Sequence, residues 1–345
     1  MVVGRWHNGL VRFRVDLPLA AGIAAGAALD ALAGDPRRGH PVAAFGRAAA
    51  ALEARDYADS RLRGAAHAAA CVLAAAAPAA LARRRLRRRP RLHAAAVATT
   101  VWAVTGGRSL RLYAERLVVL LHGNDLGAAR RALPGLCGRD PDGLTAKDIT
   151  RAVIESVAEN TCDAAVAPLL YGAVAGLPGL AAYRAINTLD AMVGYRSPRY
   201  RRFGWAAARL DDAANWVPAR VTAALAVACA PAVRGCDAAA ALRVLRRDGG
   251  RHPSPNAGRC EAAFAGALGV RLGGTNVYGG VAEARPELGE GRAPELDDIR
   301  RAVRLSRAVT VAAAALAVLV ALAPRRPAGR PAAPRPPVRP AAARR

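Results

Sequence analysis

The chain has 345 residues and a net charge of +25, and 53% of it is hydrophobic while only 4% is aromatic. A soluble core of that size normally uses more Phe, Ile and Tyr, so apolar runs separated by arginine clusters point instead to membrane spans with basic flanks. Lys147 is the one lysine, and the six cysteines show neither a C-x-x-C pair nor zinc spacing, which excludes a G-x-x-x-x-G-K phosphate loop, an ordinary Schiff-base site and a zinc module.

Arg5, Arg12 and Arg14 precede a first small-residue apolar run, residues 17–33. This order also fits a secretory signal, but Asp30 inside the run and the polar motif after it favour a retained helix. Gly22 and Gly26 form a small-x-x-x-small pair suited to close helix packing. Gly34-Asp35-Pro36 and His40-Pro41-Val42 then make a turn with Asp35 and His40 as polar tips, and the plain role for a His beside Pro is to anchor the loop. Residues 65–82 and 92–104 are the next apolar runs. The RRRLRRRPR between them cannot sit in hydrocarbon and predicts a cytoplasmic hairpin, a reading favoured over a nucleic-acid patch because the flanking runs explain it. Across residues 108–136 the leucines at 110, 112, 117, 120 and 121, with Tyr113, recur among arginines and predict an amphipathic helix.

Thr145 and Asp148, after an Asp-Pro-Asp-Gly turn, predict a capping box. On the helix it opens, Ile149, Val153 and Val157 share one side. Asp148, Arg151, Glu155 and Glu159 share another, which Asn160 and Asp163 extend. A solvated face with an Arg151–Glu155 pair of about 0.3–0.5 kcal/mol is the plain reading. Against it, the helix leads into the apolar run 164–182, and carboxylates at such a boundary mark a functional site. Pro168, Pro178-Gly179 and the Gly172/Gly176 pair interrupt that run and predict a broken or re-entrant element lining a cavity.

Residues 183–220 gather Asn187, Asp190, Tyr195, Arg196, Arg209, Asp211, Asp212 and Asn215 between two apolar runs. On a helix Asp211, Asp212 and Asn215 can converge on a hard cation such as Mg²⁺; the alternative is a solvated turn in which Arg209 pairs with Asp212. After the apolar run 217–233 comes a turn from His252 to Gly258, then EAAFAGALGVRLGGTNVYGG, whose paired glycines let backbone approach a ligand closely. Residues 283–298 read as an acidic connector and 308–323 as a last apolar run of about 16 residues. From Pro324 the chain is Pro, Arg, Val, Gly and Ala without an acid, a disordered-tail composition.

Three long segments, RAVIESVAENTCDAAVAPLLY, YRAINTLDAMVGYRSPRYRRFGWAAARLDDAANWVPAR and SPNAGRCEAAFAGALGVRLGG, occur in order behind GDPRRGHPV. Together they resemble the adenosylcobinamide-phosphate synthase family of cobalamin biosynthesis, the CobD/CbiB proteins. Ala164 stands where that family usually has Gly, and the arginine hairpin and the tail have no counterpart in it. The resemblance implies an all-α, multi-pass integral membrane protein with re-entrant or broken helices around a polar cavity. Its single synthase domain would span residues 1–323, with motif regions 34–46, 140–168, 183–220 and 252–280 and a disordered tail, 324–345. The implied reaction links aminopropanol or its O-phosphate to a propionate carboxylate of adenosylcobyric acid through an amide bond, in the cell membrane with the active site facing the cytoplasm.

Such a reaction needs activation, most simply by ATP with Mg²⁺, together with cations for phosphate oxygens and a base for the amine. The candidates for acid–base chemistry are Glu155, Glu159, Asp163 and Asp190, and those for metal Asp211 and Asp212. Candidates for substrate contact are Asp35, His40, Asn160, Arg184, Asn187, Tyr195, Arg196, Arg209, Asn215, Ser254, Asn256, Arg271 and Tyr278. Expected partners are the corrinoid, aminopropanol phosphate and membrane lipid, without nucleic acid; association with other corrin-pathway proteins stays open. Rival functions are a corrinoid transporter and a Mg²⁺-dependent membrane transferase acting on a diphosphate.

Overall fold

The computed structural model describes residues 3–5, 10–12, 15–36, 39–195, 197–278 and 280–324. The expectations for Arg196, for the side chain of Tyr278 and for the tail beyond Pro324 lie outside the described residues. Short strands β1 (Val3–Arg5) and β2 (Leu10–Arg12) pair antiparallel ahead of the helices. The first half of the chain forms α1 (Leu17–Ala33), α2 (Pro41–Asp56), α3 (Arg61–Leu86), α4 (Pro90–Val104), α5 (Gly107–His122), α6 (Leu126–Ala132) and α7 (Ala146–Thr161). The second half forms α8 (Ala167–Ala175), α9 (Leu177–Val193), α10 (Tyr200–Phe203), α11 (Trp205–Ala214), α12 (Trp216–Cys229), α13 (Ala238–Asp248) and α14 (Ala257–Leu268). The antiparallel hairpin β3 (Leu272–Tyr278) and β4 (Val281–Leu288) and a last helix, α15 (Leu296–Leu322), complete it.

The alanine-rich sequence packs by close backbone approach, as in the contact of α1 with α4. A Cβ at Gly22 would lie 2.6 Å from Val97 Cβ, and one at Gly26 2.5 Å from Val101 Cβ. Neither site has room for a side chain, which is the small-x-x-x-small packing expected of these glycines. Gly22→Val is therefore expected to push α1 off α4 and lower the melting temperature, at a cost of about 1–3 kcal/mol or more. Gly250→Ala, which meets nothing within 4 Å, should leave the melting temperature unchanged. Trp102 on α4 donates its indole N–H to the Gly34 carbonyl (2.7 Å), pinning the turn after α1.

Helix α7 lies in the middle of the protein, with Ile149, Val153, Ile154 and Val157 buried. Helix α15 packs along α1, α5, α7, α8 and α12. The acidic connector expected over 283–298 is therefore mostly structured. Its first residues are strand β4, and Asp298 sits buried in the first turn of α15, held by Arg292 (2.6 Å) and Arg301 (2.7 Å). The body is helical as expected, and the hairpin is an addition to it. Gly273 and Gly274 take φ of 86° and 89° at the register shift of β3, a bulge that breaks the two-residue pattern of a strand.

Among the described residues two helices, α3 and α15, are long and apolar enough to cross a membrane, and a third span results if α11 and α12, bent by 44°, count as one. This marks the chain as membrane-associated. The first and third apolar runs form shorter helices, since α1 has 17 residues and α4 has 15. The run 164–182 is broken as expected, at Gly176, whose φ of 66° few other residues adopt. All six cysteines are free.

Candidate active site

The site grows from α7. Thr145 and Asp148 form the expected reciprocal capping box, which fixes where the helix starts and hence which residues face inward. Its last turn widens into a π-turn, Cys162–Val166, closed by the Ala167 N–H on the Cys162 carbonyl. The Ala164 carbonyl accepts from the Gly106 N–H (2.9 Å), and that of Asp163 from the Tyr183 hydroxyl (3.4 Å). Outside donors thus take up carbonyls at the turn, and π-turns of this kind are frequent at functional sites.

Glu155, Glu159 and Asn160 open onto a polar cleft of about 290 Å³, walled by the loop around Arg139, the turn at His252, α14 and the hairpin. Glu155 is buried and fully engaged. It pairs with Arg139 and accepts the Gly273 N–H (2.6 Å), with Arg151 at 3.8 Å. Arg151 donates to the carbonyls of Gly273 and Thr275, so two α7 side chains hold the hairpin at its bulge. The Arg151–Glu155 pair expected on a solvated face is thus a clamp beneath the cleft.

Glu159 is different: its side chain is open to water on the cleft side while protein surrounds it elsewhere. That burial is the main reason its pKa lies above the ordinary value; nearby Arg285 opposes the rise and Asp211 adds to it. Glu261 on α14 is buried in the same wall, and burial, with the charges of Glu155 and Glu159, pushes it well above the carboxylate range. His252 shares this environment. Burial and the adjacent Arg285, whose Nη1 is 2.8 Å from Nε2, push its pKa down to about 4 and hold the ring neutral. Asn276 lines the cleft with its Oδ1 buried and unpartnered, an acceptor suited to an incoming N–H.

Glu159 and Ser254 also line a second cavity of about 30 Å³, together with Asp163, Asp211, Asn215 and Asn256. Asn187 Nδ2 donates to both Asp163 (3.3 Å) and Asp211 (3.4 Å) and holds the two carboxylates side by side. Asn215 Nδ2 donates to the other Asp211 oxygen (3.0 Å), while its Oδ1 accepts from Tyr183 (2.9 Å). Asn256 is 7% exposed and donates Nδ2 to the Asp212 carbonyl (2.8 Å), which leaves its Oδ1 buried and unpartnered. Among the described residues neither Asp163 nor Asp211 has an ion-pair partner. No group of three or more His, Cys, Asp or Glu side chains among them is arranged to hold a metal by itself. Asp212 turns to Arg209 (3.4 Å), the pairing that the solvated-turn alternative anticipated.

The other sequence candidates fall elsewhere. Arg184 lines a separate, mainly apolar cavity of about 710 Å³, and Asp35 precedes Pro36 of its lining; Asp35 and Arg184 each carry one buried polar atom without a partner. Arg184 also reaches Asn187 (3.4 Å), so it stands between that cavity and the carboxylate pair. His40 accepts the Val42 N–H (3.2 Å) and caps α2, the anchoring role foreseen for it. Tyr195 is an exposed residue on the cleft wall, and Asp190 lies outside both cavities of the site. Arg209 and Arg271 are surface residues, the latter 3.6 Å from Glu287. Sequence reasoning missed Arg139, His252, Glu261, Asn276 and Arg285. Glu261 had a signal, as the one acid of a helix that is apolar but for it and Arg259. Arg139 and Arg285 had none, because each sat in a segment read as turn or connector.

The family described as CobD/Cbib protein matches residues 23–306, a span that holds every residue of both cavities. Cobalamin biosynthesis protein CobD of Mycobacterium tuberculosis (strain ATCC 25618 / H37Rv) is 56% identical over 301 residues, 87% of this chain and 95% of that protein. The protein of the same name from Geobacter metallireducens (strain ATCC 53774 / DSM 7210 / GS-15) is 42% identical over 267 residues, 76% of this chain and 84% of its own. That from Sinorhizobium fredii (strain NBRC 101917 / NGR234) is 42% identical over 306 residues, 85% and 94% of the two chains. No solved structure matches. The capped helix with its carboxylates, the asparagine-bridged aspartates and the turn before α14 all lie within the matched span, and the chain belongs to the CobD/Cbib protein family.

Proposed function

We propose that this protein acts in cobalamin biosynthesis as a membrane enzyme that joins an amino alcohol, or its phosphate, to a propionate carboxylate of a corrinoid at the expense of ATP. Family membership and the names of the relatives support the pathway. The observation that supports the chemistry is the shared wall: Glu159 and Ser254 belong both to a cleft bearing Arg139 and Arg285 and to a cavity lined by carboxylate and amide oxygens. Activating a carboxylate with ATP needs those two environments side by side, cationic groups for phosphate oxygens and oxygen ligands for a hard cation.

The oxygen set fits Mg²⁺, which usually takes one or two carboxylates and completes its shell with substrate phosphate and water. Asp163 and Asp211 would hold it, with Asn256 Oδ1 as the unpartnered oxygen beside them. Bound there, the ion would neutralise charge on the transferring phosphoryl group. In the first step a corrinoid carboxylate oxygen attacks the γ-phosphorus, forming an acyl phosphate and releasing ADP. In the second the amine nitrogen attacks the acyl carbon, the C–O bond to phosphate breaks, and the nitrogen loses a proton. Glu159 is positioned to take that proton, since it faces the cleft and its raised pKa makes it a stronger base than an ordinary carboxylate. Asn276 Oδ1 would accept an N–H of the amine, and Arg139 and Arg285 would face the phosphate oxygens. Glu155 serves as a positioning residue through Arg139 and Gly273. A cleft of about 290 Å³ is at the small end for ligand pockets, so it would take the reacting ends and leave the corrin ring outside. We further propose a multi-pass arrangement in which the bent pair α11–α12 is re-entrant and the cleft opens to the cytoplasm, where ATP is available.

The test is direct. Detergent-purified protein with adenosylcobyric acid, aminopropanol phosphate, Mg²⁺ and ATP is expected to yield the amide-linked corrinoid, read as a mass increase in the corrin pool. Without ATP the product should vanish, because condensation with a free carboxylate runs uphill in water. Intact corrinoid binding without product under any nucleotide would move the assignment to transport. Turnover of a lipid diphosphate without corrinoid would move it to a transferase.

A further inference from the structure

We propose that the groove between α1, α5 and α15 is a binding site for an anionic phospholipid, separate from the polar cleft. It encloses about 630 Å³. One end is cationic: Arg108 and Arg111 of α5 and Arg304 and Arg307 of α15 line it, with Glu115 as the one acid among its lining residues. Asp30 lies nearby; its Oδ2 accepts the Arg108 backbone N–H (3.3 Å). Arg108 donates to the Ala31 carbonyl (2.7 Å), and Arg111 reaches Thr310 Oγ1 (3.4 Å). Among the described residues none of the four arginines forms an ion pair, and Arg304 and Arg307 are exposed. Glu115 and Asp30 offset part of this charge, and the four guanidinium groups leave a positive surplus whose forked donors suit a phosphate.

The remainder of the groove is apolar, walled by alanines of α1 at 24, 27, 28 and 31 and by residues of α15 from Val311 to Val318. Helix α15 is long and apolar enough to cross a membrane. From Arg304 to Val318 is fourteen residues, about 21 Å along the helix axis. A groove that is basic at one end and apolar for the rest of its length, beside a candidate span, matches a phosphate headgroup with acyl chains alongside. A soluble phosphate or nucleotide would have no use for the apolar part. That continuity with the candidate span is what commits the site to lipid.

The test uses full-length protein in mild detergent, with phosphatidylglycerol or phosphatidylcholine of the same acyl chains added and bound lipid read by native mass spectrometry. Phosphatidylglycerol is expected to be retained about tenfold better or more, and R304E/R307E to bring it down to the phosphatidylcholine level. Both positions are exposed, and a thermal melt checks that the double variant is folded. Ala315→Trp, which fills the exposed apolar part, should lower lipid retention with the arginines intact. Equal retention of the two lipids would overturn the proposal, as would unchanged phosphatidylglycerol binding in a folded R304E/R307E variant. Displacement of phosphatidylglycerol by equimolar inorganic phosphate, with Ala315→Trp having no effect, would assign the groove to a soluble anion and also overturn it. Synthase activity is not the readout, so the lipid site stands or falls apart from the proposed reaction.

Discussion

Glu159→Gln is expected to lower the rate of amide formation by about 100- to 10,000-fold while the protein stays folded and binds corrinoid, the range typical for loss of a general base. The substitution keeps the shape of a side chain that faces the cleft and lines both cavities, so packing should hardly change. Because burial raises the Glu159 pKa, the proton must leave at a pH above the ordinary carboxylate range before the base is active. The wild-type rate should therefore rise with pH through that raised value, and the limb should be absent in the variant. Single-turnover rates over a pH series check both. A wild-type rate and pH profile in Glu159→Gln would remove Glu159 from the proton transfer. Glu155→Gln should behave otherwise. It leaves Arg139 without its buried carboxylate, a change of the kind that costs about 3–5 kcal/mol, and should appear first as a lower melting temperature.

Asp163→Asn and Asp211→Asn are each expected to weaken binding of a divalent cation by at least about 10- to 100-fold, with activity falling alongside. Mn²⁺ serves as the probe, and its electron paramagnetic resonance signal reports binding with no substrate present. Asp212→Asn should leave that signal near wild type, because Asp212 is committed to Arg209 on the outer side of α11. The contrast separates two readings of the same stretch. A site built on consecutive aspartates loses the ion with Asp212, whereas one built across Asn187 loses it with Asp163. Wild-type Mn²⁺ binding in both Asp163→Asn and Asp211→Asn would sink the cation assignment even if activity were lost.

Much of this protein was legible in one dimension because its signals are local. The capping box at Thr145 and Asp148, the glycine pair at 22 and 26, the break near Gly176 and the cap at His40 each depend on residues within a few positions of one another. The carboxylate face of α7 was legible for the same reason, since helical spacing alone puts Glu155 and Glu159 on one side. Identical spacing could not say that Glu155 would be consumed by Arg139 and the Gly273 amide while Glu159 stayed open, because those partners lie in loops and a hairpin far along the chain.

The hairpin itself escaped because its bulge glycines interrupt the strand pattern and its second strand is as polar as a connector. The proposed cation site shows the division most clearly. Sequence spacing chose Asp212 as the companion of Asp211, since neighbours on one helix are the only pairs it can see. Tertiary structure sets Asp163 beside Asp211, because Asn187 on α9 reaches the π-turn and α11 at once and draws both carboxylates to one amide. Sequence alone determined the membrane-associated helical body, the family and the stock of polar groups. Which of those groups face one another was decided by packing, where burial and long-range hydrogen bonds select partners that no periodicity records.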